Sequence, residues 1–215
     1  MNAGDIDKLY CAILNCSFPK SQNGFRTVMG TIILSKESIG VSDIYLLQNH
    51  CWSESVVSGI LGLLGSVLSQ DTDDTFTIHH QSFVDFLTYS EHCPDQFFID
   101  RQEHSCRLTF MCLHNMNDEE KGLKFNICQF PTSHASNDSV SVPEEPIRRI
   151  RYSCQFWADH LRDTEFDSEI HGLIEKLLHS HLLHWLEVLS MTKEVRSAIR
   201  SLEIAIGWLK VSYWP

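Results

Sequence analysis

The chain has 215 residues, enough for one large or two small domains with a buried core, and its 43% hydrophobic content excludes wholesale disorder. Its 28 acidic residues against 17 basic ones give a formal charge of −11, which argues against a general nucleic-acid binder, because neutralising phosphates requires clustered Lys and Arg. The eight cysteines contain no C-x-x-C pair, and Met1-Asn2-Ala3-Gly4-Asp5 has neither a basic nor an apolar signal region, so reduced thiols in a cytoplasmic protein are expected.

Along the chain, Ile6, Leu9, Tyr10, Ile13 and Leu14 recur at helical spacing. Ser17 to Gly24 holds Pro, Asn and Gly and reads as a loop. A second helix follows with Phe25, Val28, Met29, Ile32 and Ile33 on one side, then a short one from Ser42 to Gln48. Ser53 to Leu68 continues as helix despite its glycines. Its apolar run from Val56 is far short of the roughly 20 residues a membrane span needs, so no membrane partner is expected. Gln70 to Asp74 is a polar turn. Thr75 to His79 alternates and is rich in β-branched and aromatic residues, which predicts a strand.

Beyond Pro94 the pattern is helical almost throughout. Leu108, Met111, Cys112 and Met116 form one stripe, and Ile147, Ile150, Cys154, Trp157, Ala158 and Leu161 another. Thr132 to Glu145, rich in Ser, Asn, Asp and Pro, reads as a linker. Asp167 is placed to cap a helix carrying Ile170, Ile174, Leu177, Trp185 and Leu189, and a last helix shows Val195, Ile199, Leu202, Ile206 and Leu209. The expected architecture is mainly α: a winged-helix-like module with a short β-strand element over residues 1–92, and a multi-helix connector over 93–215 with a loop near 131–146.

Local chemistry predicts no catalytic centre and no metal site. His181 and His184 are helical neighbours, but no carboxylate or cysteine completes a ligand set, and His104, Cys106, Cys112 and His114 have the wrong spacing for a zinc finger. Gly65-Ser66 lacks a nucleophile elbow, and no G-x-x-x-x-G-K-[ST] loop is present to cradle phosphates. Arg148, Arg149 and Arg151 read as a solvated helix face. A DNA-reading helix is not expected from Ser82 to Tyr89, which has no Lys or Arg.

Ser82-Phe83-Val84-Asp85 fits the [ST]-x-x-[DE] capping box, so Ser82 is expected to cap a helix with Asp85 reaching back, while Phe83, Phe86 and Leu87 face one core. His80 then lies between a strand end and a helix N-terminus, where amide N–H groups and the helix dipole favour an anion. The plain alternative is a histidine held by a backbone hydrogen bond in a tight connection.

The string His80-x-Ser82-Phe83-x-Asp85-Phe86-Leu87 resembles the winged-helix motif H-x-[ST]-F-x-[DE]-[FY] that follows the nucleotide-binding core of NACHT-domain proteins, the STAND-type ATPases related to NOD-like receptors. The wider chain is similar to the region after that core in fungal NACHT proteins, many of which continue into WD repeats. Asp7-x-Leu9-Tyr10, Phe25-Arg26-x-Val28-x-Gly30-Thr31-Ile32, Phe97-Phe98-Ile99-Asp100, Asn126-Ile127-Cys128, Tyr152-x-Cys154-x-Phe156-Trp157 and Leu182-Leu183-x-Trp185-Leu186-Glu187 carry it in order. The resemblance implies that His80, by position, contacts the β-phosphate of ADP in a closed state, with Ser82, Phe83, Asp85 and Phe86 as structural support. It implies no cofactor for this chain alone, ADP or ATP entering only if it is joined to a P-loop core. Partners would be that core, a repeat domain of the same or a related polypeptide, and other proteins. Because the P-loop, the acidic metal-binding strand and the arginine sensor are missing, the expectation is a fragment, a truncated product or a chain that kept the fold without the switch. A stand-alone helical protein–protein interaction module is the competing expectation.

Overall fold

The computed structural model describes residues 3–18, 23–48, 52–130 and 143–213. It is mainly helical with one small sheet, and it separates into two compact units, Met1–His104 and Ser105–Pro215. Most of the expected linker Thr132–Glu145, and part of the loop Ser17–Gly24, lie outside the described residues.

In the first unit α1 (Ala3–Ser17) and α2 (Asn23–Leu34) present aromatic and branched side chains inward, with Tyr10, Leu14, Phe25, Val28 and Met29 buried. Leu9, predicted to face inward, is 49% exposed, because only the Tyr10–Leu14 edge of α1 meets the core. Phe25 packs edge-on against Phe97 at 5.5 Å and tilted on Phe18 at 4.9 Å. A Cβ at Gly30 would stand 2.3 Å from the His104 ring, so glycine is what lets that imidazole lie against α2. The hydroxyl of Thr31 donates to the Thr27 carbonyl and accepts from Gln48 Nε2 at 2.7 Å, satisfying a buried polar pair.

β1 (Ile39–Gly40) leads into α3 (Val41–Leu47), whose start is closed by the Gly40 amide donating to Asp43 Oδ2 at 2.9 Å. Ser53 caps α4 (Glu54–Gly62) by accepting from the Val56 amide. The helix predicted to reach Leu68 stops at Gly62, and Leu68–Gln70 is strand β2. The glycines weaken the helix there, and pairing with β3 (Thr75–Ile78) offers the backbone an alternative ladder. The sheet order is β1-β3-β2, all antiparallel, with Ile39 opposite Phe76 and Leu68 opposite Ile78. Asp71–Asp74 closes the β2–β3 hairpin, with Asp71 N donating to Thr75 O and Asp74 in the left-handed region at φ 58°. α5 (Gln81–Thr88) follows.

α6 (Arg101–Asn117) buries the predicted stripe Leu108, Met111, Cys112 and Met116. In the second unit α7 (Glu144–Leu161) buries all six residues of its predicted stripe, Ile147 to Leu161. Asp167 caps α8 (Ser168–Lys176), its carboxylate accepting from the Glu169 and Ile170 amides at 2.8 and 3.0 Å. The helix passes through a π-turn (Leu177–His181) into α9 (Leu182–Met191) without a break in the chain of helical residues. Trp185 meets Trp157 edge to face at 6.1 Å and donates its indole N–H to the Cys154 carbonyl at 2.8 Å. α10 (Val195–Tyr213) packs on α7 and α9, with Trp208 donating to the Thr164 carbonyl at 3.0 Å. Its buried face is Ala198, Ser201, Ala205 and Trp208. The expected core stripe is a correction: Val195, Ile199 and Ile206 are 47%, 67% and 50% exposed. The small residues allow closer approach to α7, so the packing selects them over the larger aliphatics.

Candidate functional site

The junction between β3 and α5 is built by two constraints. Pairing of Leu68 with Ile78, followed by His79 N donating to Val67 O at 3.0 Å, keeps the chain extended to the end of the strand. Phe83, Phe86 and Leu87 are buried and fix the rotation of α5. Between them His80 is the N-cap residue, in extended conformation at φ −135° and ψ 128°, and its side chain makes no cap hydrogen bond. Its imidazole is exposed, with the His79 ring 6.3 Å away. The carbonyl of His80 accepts from the Phe83 amide at 3.0 Å.

The capping box is overturned. Helix α5 begins at Gln81, so Ser82 lies inside its first turn, and its hydroxyl is within 2.9 Å of the Tyr10 hydroxyl on α1. Asp85 accepts from Gln81 Nε2 at 3.0 Å on the exposed face. Tyr10 also packs on Phe83 at 4.9 Å and on Phe86 at 5.5 Å, so Ser82, Phe83 and Phe86 all converge on this one side chain. Sequence reasoning missed Tyr10 as the partner. Its helical spacing placed it in the core, but nothing local ties it to a residue 72 positions away.

Elsewhere, His181 and His184 bring their Nδ1 atoms to 3.5 Å. Burial first, then His184 and Lys176, hold the His181 imidazole below its ordinary pKa, opposed by the Leu123 backbone. His104, Cys106, Cys112 and His114 are spread along α6, with His104 and Cys112 buried. Among the described residues no group of three or more His, Cys, Asp or Glu side chains gathers as a metal site. The second unit has a groove of about 680 Å³ lined by Phe166, Trp208, Ile204, Gly207, Arg162, Thr164 and Glu165, in which Phe166 stacks on Trp208 at 5.2 Å. Among the described residues no helix is long and apolar enough to cross a membrane.

No family model matches the chain, and no solved structure matches it. Among curated proteins, it is 39% identical over 82 residues to the vegetative incompatibility protein HET-E-1 of Podospora anserina. That alignment takes in 33% of this chain and spans 6% of the relative's length. The partial similarity suggests the fungal NACHT and STAND proteins as the family to which the chain is related.

Proposed function

We propose that this chain is a non-catalytic regulatory segment of a NACHT/STAND-type switch, in which His80 reads the nucleotide held by a P-loop core. The observation that carries the reading is the position of His80: an exposed imidazole at the N-cap of α5, free of any capping bond, on a helix fixed from behind by Phe83 and Phe86. From α2 to β3 the order helix, strand, helix, helix, strand, hairpin, strand, with α1 before it and α5 after it, supports treating the first unit as a winged-helix module.

The physical sequence is short. A diphosphate supplies concentrated negative charge; the imidazole N–H donates to it, and the first-turn amides of α5 and the helix dipole add to the attraction. Because α5 is packed on Tyr10 through Ser82, Phe83 and Phe86, a force on His80 is passed to α1 rather than absorbed by a loose side chain. The nucleotide then biases a two-state contact between core and segment.

The test joins this chain to a P-loop core and titrates ADP and ATP against it. His80→Ala is expected to speed ADP release and weaken ADP binding by about 1.5–3 kcal/mol, the range for a hydrogen bond to a charged group. Unchanged ADP retention would refute the latch. A second reading, a helical module that binds other proteins, is favoured by the exposed aliphatic face of α10.

A further inference from the structure

α10 carries two stripes, and the fold uses only one. The small-residue stripe packs on α7 and α9. The other stripe, Val195, Ile199, Leu202, Ile206 and Leu209, advances alternately by four and three residues, the heptad period at which one helix face meets another along its length. Val195, Ile199 and Ile206 remain about half exposed or more, at 47%, 67% and 50%, and Leu202 and Leu209 are half-buried. Three aliphatics in register on one helix form a contiguous apolar strip rather than the scattered residues a surface ordinarily shows.

The charges beside the strip indicate what covers it. Arg196 and Glu203 flank it on one side, both exposed and one heptad apart. We propose that a second copy of this chain docks here, α10 against α10, antiparallel about a two-fold axis passing between Ile199 and Leu202. In that register Val195 opposes Ile206 of the second copy and Ile199 opposes Leu202 of the second copy. Arg196 then comes within reach of Glu203 of the second copy, and the symmetry repeats each contact. This is the self-complementarity an isologous two-fold interface requires. A parallel pairing gives Arg196 and Glu203 no opposite charge, because the positions across the seam are Ala198 and Ala205, already buried in their own unit. One helix pair covers less than the roughly 1,600 Å² of a standard interface, so the dimer belongs to the weak, concentration-dependent class. None of this depends on His80.

Sedimentation velocity on the full chain from about 1 to 300 μM tests it, with circular dichroism to verify that each variant keeps its helix content. The expected result is a concentration-dependent monomer–dimer equilibrium, weakened at least about tenfold by Ile199→Glu. Arg196→Glu and Glu203→Arg are each expected to weaken it, and the double variant Arg196→Glu/Glu203→Arg to restore it. A monomer at every concentration, as would follow if a different protein covers the strip, overturns the proposal. So does a dimer indifferent to Ile199→Glu. Failure of the double variant to recover what either single variant loses overturns the antiparallel register.

Discussion

A double-mutant cycle built on Ser82→Ala distinguishes a helix capped locally from one tethered to a neighbour. The hydroxyl of Ser82 sits 2.9 Å from that of Tyr10, which is only 7% exposed. A hydrogen bond of this kind contributes about 0.5–1.5 kcal/mol, and exposure on the Ser82 side places it near 1 kcal/mol. Loss of an N-cap would cost about the same, so the single substitution cannot separate the two accounts. A double-mutant cycle can. Ser82→Ala and Tyr10→Phe should couple by about 0.5–1 kcal/mol, whereas Ser82→Ala and Asp85→Asn should be additive within about 0.3 kcal/mol. The assay is urea unfolding of each variant, followed by far-UV circular dichroism and intrinsic fluorescence and extrapolated linearly to water. Coupling between positions 82 and 85, with none between 10 and 82, would refute the tether and reinstate the capping box.

Gly122→Ala should destabilise the second unit by roughly 2–4 kcal/mol, because the new Cβ would stand 2.4 Å from the Asp118 carbonyl oxygen, a backbone atom that cannot swing away; thermal unfolding measures it. The fold favours neutral His181, so its contribution is whole above the unfolded value near pH 6.5 and is lost as pH falls through the lower folded value. Calorimetry from pH 7.5 down to 5 should therefore show a falling Tm, less steep in His181→Gln. Burial pushes the Cys112 thiol up to about 12 and raises that of fully buried Cys154, so both should resist a thiol reagent in the native state while exposed Cys16 reacts at once. Labelling followed by mass spectrometry reads this directly; rapid modification of Cys154 without unfolding would contradict its packing.

The helical framework was legible because long amphipathic stripes state their period many times over. Ile147 to Leu161 repeats one face over four turns, and Asp167 adds a cap whose oxygen reaches two amides as its position foretold. Short elements gave no such redundancy. Leu68 looked like the end of an apolar helix, and only pairing with Ile78 makes it a strand. At the candidate site, the apolar face Phe83, Phe86 and Leu87 could be read from spacing alone. The helix start could not, since it is set by where the β-ladder releases the chain, and the Ser82 hydroxyl answers to a tertiary partner. For α10 the period was readable but ambiguous, as two stripes share one helix and size complementarity with α7 chose between them.

The π-turn at Leu177–His181 has a consequence for how this chain can vary in length. A π-turn accommodates one residue more than an α-helical turn would, without altering the rows of side chains before and after it. Removing a single residue there would restore ordinary helix and leave the downstream rows in place, whereas one more residue held in pure α-helix would turn everything after it by about 100°. After the removal Trp185 would still face Trp157 and the Cys154 carbonyl. The π-turn acts as a phase correction between two helical segments, so a homologue one residue shorter at this place can keep its tryptophan pair as it stands.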